Sequence, residues 1–268
     1  MLTFIKFGGS IITDKRRAET PDLATIRRLA EELRAARDAD PALQVVLGHG
    51  SGSFGHWYAE RYGVHRGIAP GGDWLGFALT SAAALRLNRI VVDELLHAGV
   101  PALSLQPSAT LRSAGGKLIA WDTTTLHMAL ERRLVPVIHG DVAFDEMQGS
   151  AIISTEQQLD YLARDPALRP QQIILVGEAA VYTADPHSDP HAERIPEINA
   201  GNIDAVLHGA GASHGVDVTG GMRSKIAQMW SLVQAVPGLR VHLIGSAPDL
   251  LLQTLLKQKT GQGTVIVG

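Results

Sequence analysis

Several groups of residues in this 268-residue chain could do phosphate chemistry. The fullest is Val45-Val46-Leu47-Gly48-His49-Gly50-Ser51-Gly52-Ser53-Phe54-Gly55-His56. An apolar run that reads as a buried strand stops at Gly48, four glycines fall within eight residues, and a helical pattern resumes at Trp57. Strand, glycine turn and helix form a cradle for phosphate. Missing side chains let the backbone approach an anion, and a helix start offers free N–H groups and a positive dipole end. A second turn of this kind, Gly8-Gly9-Ser10, closes a strand over residues 3–7 and has Lys6 at its mouth. An unpaired buried ammonium is costly. Lys6 therefore either stands on an edge strand in water or faces an anion beside the glycines. Gly140-Asp141 ends a third apolar strand, and Glu156 lies in the first turn of a helix opened by Ser154-Thr155. Lys15 follows in a polar loop, and Lys225 sits in the first turn of a helix preceded by Gly220-Gly221.

Two familiar phosphate fingerprints fail on context. Gly50-x-Gly52-x-x-Gly55 has dinucleotide spacing, but the acid expected about 20 residues on would be Asp73, which falls in a turn. Gly50 and Gly55 also have P-loop spacing, yet His56-Trp57 stands where lysine and a hydroxyl residue are needed.

The elements that must position these residues alternate between strand and helix. Thr20-Pro21-Asp22 opens a helix with a hydroxyl cap, a proline and an acid in the first turn. Its apolar positions Leu23, Ile26, Leu29, Ala30 and Leu33 recur at helical spacing. Further helices are predicted over 57–62, 74–97, 123–133, 154–164, 223–236 and 249–256. Strands are predicted over 44–47, 101–105, 118–121, 135–139, 173–176, 241–244 and 263–267. The 74–97 helix is rich in small residues, and Ala78, Ala82 and Ala83 could leave a slot for a short apolar tail or serve close packing. This alternation predicts an α/β fold, a three-layer αβα sandwich around a mainly parallel sheet, as one domain over 1–268 with two halves. In such sheets ligands bind beyond the carboxyl ends of strands. Lys6, the two glycine turns, Gly140-Asp141 and Glu156 all fall at or just after such ends and can share a crevice.

Bulk composition narrows the partners. The net charge of −3 gives no basic field for nucleic acid, and the absence of cysteine excludes disulfides and thiolate metal sites. No unbroken apolar run approaches 18 residues and lysine appears at position 6, so neither a membrane span nor a signal peptide is expected. The expectation is a soluble cytoplasmic protein. Two phosphate cradles, several lysines and carboxylates, and no P-loop lysine point to transfer between two phosphate-bearing ligands.

On these residues the chain resembles the amino acid kinase superfamily. The segments are Lys6-Phe7-Gly8-Gly9-Ser10-x-Ile12-Thr13-x-Lys15, His49 to His56, His139-Gly140-Asp141-Val142, Asp217-Val218-Thr219-Gly220-Gly221-Met222-x-x-Lys225 and Gly261-x-Gly263-Thr264. The Gly-Ser-Phe-Gly-His run with Lys15 is similar to the isopentenyl phosphate kinase group and its near relatives, fosfomycin kinase among them. The resemblance implies ATP-dependent phosphorylation of isopentenyl phosphate to isopentenyl diphosphate, with Mg²⁺ accompanying ATP and a homodimer as the assembly. It implies that Lys6, Lys15 and Lys225 neutralise the phosphates, with Glu156 organising the lysines. Gly8, Gly9, Ser10, Gly52, Gly220 and Gly221 would hold ATP, and Ser51, His56, Gly140 and Asp141 the acceptor phosphate. No protein-held metal is implied.

Two departures from that pattern stand out. Ser154-Thr155-Glu156 replaces the usual Ser-Gly-Asp, and Val176-Gly177-Glu178-Ala179-Ala180-Val181-Tyr182 lacks two aspartates usual near the nucleotide, although Asp185-Pro186 remains. Two other readings follow. One is a kinase of another small phosphate or phosphonate such as fosfomycin. The other is a nucleotide-binding protein on this fold that has lost catalysis, against which Lys6, Lys15, His56 and Lys225 all argue.

Overall fold

The computed structural model describes residues 1–177, 180–184, 189, 191–209 and 221–268. In chain order the elements are β1 (Leu2–Phe7), α1 (Gly9–Ile12), α2 (Leu23–Ala39), β2 (Gln44–His49), α3 (Gly52–Arg61) and α4 (Leu75–His97). Next come β3 (Ala102–Ser104), β4 (Leu111–Ala114), β5 (Lys117–Trp121), α5 (Thr124–Glu131), β6 (Val135–His139), β7 (Asp141–Asp145) and β8 (Gly149–Ile153). The remainder are α6 (Thr155–Ala163), β9 (Gln172–Val176), β10 (Glu197–Ile198), α7 (Ile203–Gly209), α8 (Gly221–Ala235), β11 (Arg240–Ile244), α9 (Leu250–Leu255) and β12 (Thr264–Val267).

An eight-stranded sheet runs in the order β10-β12-β11-β9-β1-β2-β6-β3. Every pairing in it is parallel except β11 with β12. The mainly parallel sheet read from the alternation is what the chain forms. Its strands are apolar on both faces. Ile5, Phe7, Val45 and Leu47 pack under α2, α4 and α9, while Phe4, Val46, Ile173 and Leu175 pack under α5, α6, α7 and α8. Residue alternation thus sends Lys6, on the parity of Phe4, toward the layer that contains α6.

The edge-strand alternative for Lys6 is wrong. β1 is flanked by β2 and β9, and the connections leaving β1 and β9 run in opposite directions along the sheet, β1 toward β2 and β9 toward the β10-β12-β11 side, which opens a crevice at their carboxyl ends.

Other boundaries differ from expectation. α3 begins at Gly52 rather than Trp57, because Phe54 and Gly55 already donate to the Ser51 carbonyl (3.1 and 3.2 Å). Gly55 and His56 therefore belong to the helix. The strand at His139 does not end the local sheet structure: β7 and β8 form an antiparallel hairpin within a second sheet ordered β5-β4-β7-β8. This sheet meets α4 through Trp74, Phe77 and Phe144, with ring centroids 4.9–5.6 Å apart.

α4 is long and apolar enough, by length and composition, to cross a membrane, which unbroken apolar runs did not signal. Its buried stripe packs on the core instead, and the stripe also carries Thr80, Asn88 and Glu94. On the opposite flank, Glu32 of α2 caps another helix. Its carboxylate accepts from the amides of Asp249, Leu251 and Leu252 at the start of α9 (3.1–3.2 Å) and pairs with Arg28.

Asp145 ties the second sheet together. It accepts hydrogen bonds from the amides of Gly115, Gly116, Met147 and Gln148 and from the Ser113 hydroxyl, all at 2.8–3.1 Å. Burial works against its charge, but the Gly116, Met147, Ser113 and Gln148 donors overcome it and hold the carboxyl down at about 2. A depressed carboxyl stabilises the fold above its unfolded value, near 3.8, and loses that contribution as pH falls toward 2. Asp145→Asn should therefore lower the unfolding free energy measured by urea titration at neutral pH by about 1–3 kcal/mol, with the gap to wild type closing between pH 4 and 2. A gap that stays constant across that range would contradict this account.

Candidate active site

The floor of the crevice is made by backbone packed on backbone. β1 and β2 run parallel in register, with Phe7 beside His49, so the turns that leave them meet at once. A side chain at Gly9 would put its Cβ 2.6 Å from the Gly52 nitrogen, and one at Gly50 would lie 2.8 Å from the Gly9 nitrogen. Gly52 also has φ +48° and lies against Thr13. Thr13 joins the two turns, donating to the Gly9 carbonyl (2.7 Å) and accepting from the Ser53 amide (3.0 Å). Gly8 donates to Val176 at the end of β9 (2.8 Å) and Gly50 donates to Phe7 (3.0 Å). Thr155 at the start of α6 donates to the His49 carbonyl (2.7 Å), as does the Gly140 amide (3.0 Å). Four strand ends, of β1, β2, β6 and β9, and three helix starts, of α1, α3 and α6, are thus drawn to one place.

The charges sit above this floor. Lys6 forms an ion pair with Glu156, and both side chains are nearly buried. Glu156 is held there by a helix start in which the Ser154 hydroxyl accepts from the Gln157 amide (3.2 Å). Burial works against ionisation of Glu156, yet the ammonium groups of Lys6 and Lys225 outweigh it and hold the carboxyl below the usual range. Glutamate in place of the usual aspartate still reaches its lysine. The sequence suggested this organising role only through the resemblance; the structure shows the pairing itself.

Lys15 is exposed on the segment that follows α1. That segment is strapped over α3: Glu19 accepts from the Tyr58 hydroxyl (2.9 Å) and Arg86 (2.5 and 2.8 Å), and its amide donates to the Ser53 carbonyl (3.3 Å). Ser10 lies in α1, one residue beyond the Gly9 contact.

On the opposite wall, Ser51 precedes α3, and Gly55 leaves room for its side chain, since a Cβ there would lie 2.6 Å from the Ser51 Oγ. His56 is exposed on α3. Its Nδ1 lies 2.8 Å from the Gly52 carbonyl, which can only accept, so Nδ1 carries the hydrogen and Nε2 points elsewhere. Asp141 differs from expectation. Its side chain is buried and accepts from the amides of Ser108 (3.2 Å) and Val142 (2.8 Å), so it is turned into the protein. Of the three alanines read as a slot on α4, Ala83 lies in the core and Ala78 is exposed, leaving only Ala82 half-buried, while neighbouring small residues serve close packing, with a Gly55 Cβ 4.0 Å from Ala84 and a Gly76 Cβ 2.3 Å from Tyr62.

Sequence reasoning assigned no role to His49 and His139. They end β2 and β6, stack with centroids 5.6 Å apart, and are fully buried under the crevice. Each Nδ1 reaches the carbonyl of the following glycine, Gly50 at 3.0 Å and Gly140 at 3.2 Å. The signal was the repeated His-Gly at two strand ends. Asn88 of α4 completes His49 through its Nε2 (3.1 Å) and is itself held by Ser104.

Among the described residues no cluster of three His, Cys, Asp or Glu could hold a metal ion. Glu178, Ala179, Asp185, Pro186 and the 217–220 segment with Gly220 lie outside the described residues, and Gly221 opens α8, whose first turns carry Lys225. The assembled groups can bind two anions at adjacent strand ends, with buried ammonium charge between them.

Comparison with known proteins agrees with this chemistry. A model of the amino acid kinase family matches residues 1–245. An isopentenyl phosphate kinase from Methanothermobacter thermautotrophicus is 33% identical over 275 residues, covering 100% of this chain and 99% of that protein. One from Methanocaldococcus jannaschii is 34% identical over 235 residues, covering 84% of this chain and 85% of that one. A crystal structure of isopentenyl phosphate kinase superposes with a TM-score of 0.83 at 30% identity, over 100% of both chains.

Burial, then the neighbouring His139 and Lys6, push His49 down to about 3, and burial lowers His139 against the opposing charge of Asp141. An imidazole depressed in the folded state takes up its proton first in the unfolded chain. Stability is then complete above about pH 6.5 and lost progressively as pH falls toward 3. Each such histidine adds a slope of at most about 1.4 kcal/mol per pH unit. Chemical denaturation of wild type and His49→Asn between pH 7 and 4.5 should show a shallower slope in the variant. Identical slopes would remove His49 from the acid response.

Proposed function

We propose, from the premise that this chain belongs to the amino acid kinase family, that it transfers the γ-phosphoryl group of ATP to isopentenyl phosphate, giving isopentenyl diphosphate and ADP. The observation that carries this reading is the buried Lys6–Glu156 pair, with Lys225 acting on the same carboxylate, at the mouth of two glycine turns packed backbone to backbone. It places cationic charge where two phosphates would meet. The kinases it resembles along its whole length act on this acceptor.

An oxygen of the acceptor phosphate attacks the γ-phosphorus, the bond to the β,γ-bridging oxygen breaks, and ADP departs with that electron pair. The attacking oxygen is already ionised, so no general base is required. The protein's task is positioning and charge stabilisation. Lys6 and Lys225 stabilise the transferring group, and Glu156 fixes their places. Lys15, on its strap over α3, adds charge from outside. Amides of Gly9, Ser10 and Gly52 hold nucleotide oxygens, with Gly220 and Gly221 on the nucleotide side; the Gly8 amide, expected among them, is instead committed to Val176 and fixes the turn. Ser51 and His56 hold the acceptor phosphate, while the Gly140 amide, committed to the His49 carbonyl, shapes the turn beside it and does not bind the anion. The hydrogen on His56 Nδ1 is committed to Gly52, which leaves Nε2 as the ring atom available to the acceptor phosphate.

In this reading the chain works as one domain, its N-terminal half holding the acceptor and its C-terminal half the nucleotide. Mg²⁺ enters with ATP as part of the substrate, bound by phosphate oxygens. The enzyme works in the cytoplasm as a homodimer.

A coupled ADP-release assay over isopentenyl phosphate, dimethylallyl phosphate, fosfomycin and carbamate tests the assignment. Turnover confined to fosfomycin or carbamate would overturn it. Lys6→Ala and Lys225→Ala should each lower kcat by about 10²-fold or more at a temperature where both remain folded, with Lys6→Ala also lowering the melting point because Glu156 loses its buried partner. A structural role alone would lower the melting point and leave turnover intact. His56→Ala should raise the KM for isopentenyl phosphate and cut kcat while sparing ATP, with His56→Gln retaining part of the activity. Unaltered kinetics in the alanine variant would take His56 out of the acceptor site.

A further inference from the structure

The helical layer over the β9-β11-β12 side of the sheet is incomplete. α9 has six residues and is about 9 Å long, whereas the five-residue β11 extends about 17 Å. The face left uncovered bounds a cavity of about 780 Å³. It starts near the amino ends of the parallel strands, at Met1, Gln172 and Arg240, and follows His242 and Ile244 along β11 to the loop of residues 257–262. None of the residues assigned to the catalytic crevice lines it.

Its charge is one-sided. Arg194, Arg240, Lys257 and Lys259 line it, and no Asp or Glu does, in a chain whose net charge is −3. Arg194 is oriented by donating to the Gly263 carbonyl (2.6 Å), and the Met1 ammonium is held by the Ala42 carbonyl (3.0 Å). Arg240, Lys257 and Lys259 have no ion pair among the described residues. Solvated lysines on a convex surface need no ligand. Here cations from three separate segments converge on one concavity of ligand size, among glutamine and threonine side chains that supply further hydrogen bonds.

We infer that this cavity is a second anion site, separate from the catalytic crevice, that takes a small molecule carrying at least two phosphate groups. Like-charged side chains gathered without a counter-charge repel one another, and a diphosphate spans several of them at once. Ile244, Pro196 and Val265 give the remaining wall an apolar surface on which a short organic group can rest.

The test uses the full-length protein with inorganic pyrophosphate as probe, followed by hydrogen exchange. Because pyrophosphate also enters the catalytic crevice, the location of protection matters. Protection is expected in residues 239–244 and 257–265 of the wild type. In the double variant R240A/K259A it should disappear from those segments, with pyrophosphate affinity there reduced roughly tenfold or more. Turnover of the variant should match wild type, since neither residue belongs to the catalytic machinery, and its melting point serves as the check on folding. Protection limited to residues 6–10 and 48–56, or equal protection in wild type and variant, overturns the proposal. It is equally overturned if light scattering shows that the face joins two copies, with a dimer that R240A/K259A dissociates and no pyrophosphate protection in these segments.

Discussion

The active end of this molecule depends on one steric constraint, the absence of a β-carbon at Gly9, Gly50 and Gly52. Neighbouring parallel strands lie about 4.8 Å apart, so two turns leaving their ends at the same level have no room to pass unless one yields its side chains. Here both do. The approach lets Thr13 join the two turns and brings the starts of α1 and α3 side by side. An alanine at Gly9 would not merely fill a pocket. It would push apart the backbones of two central strands, and with them the two phosphate cradles.

Electrostatics is then added to a geometry already fixed. Lys6 comes from the middle of the sheet, Glu156 from a helix start and Lys225 from the first turns of another helix, so no flexible loop supplies the central charges. A buried ammonium without a partner is destabilising, and a buried carboxylate likewise; each makes the other tolerable. The pair stabilises the fold little compared with an apolar substitute, but it keeps a cation at a place where a phosphoryl group can use it. Beneath it, His49 and His139 remain neutral and fasten the carbonyls of Gly50 and Gly140, so the cradles rest on a rigid base.

Much of this was legible in the sequence, for identifiable reasons. The glycine turns, Lys6 and the parallel sheet are written in local patterns: apolar runs of strand length, glycines just after them, helices between. The centrality of β1 was not legible, because strand order is set by crossover connections that single-segment periodicity does not contain. Of the second sheet only the strand that became β5 was legible; β4, β7 and β8 were missed because they are short and partly polar, and the side chain that ties them together, Asp145, is a tertiary feature. The start of α3 was hidden because glycines that serve close contact look like glycines that break a helix. Asp141 kept its motif position but not a role toward solvent, since burial is a tertiary property. The alanines of α4 could be read as a slot or as packing, and only the position of α3 decides between them.

α4 has a consequence for how the chain is made. A 23-residue apolar helix is a hazard while it emerges from the ribosome, because the targeting machinery and other nascent chains recognise such segments. Its main helical covers, α2 and α3, precede it in the chain, whereas β6, whose apolar side chains share its core, follows about 40 residues later. The greasy face therefore has half of its shelter waiting when it appears. Synthesis order here acts as a form of protection against misdelivery, and a rearranged gene that placed α4 ahead of α2 and α3 would forfeit it while leaving every contact of the finished molecule available.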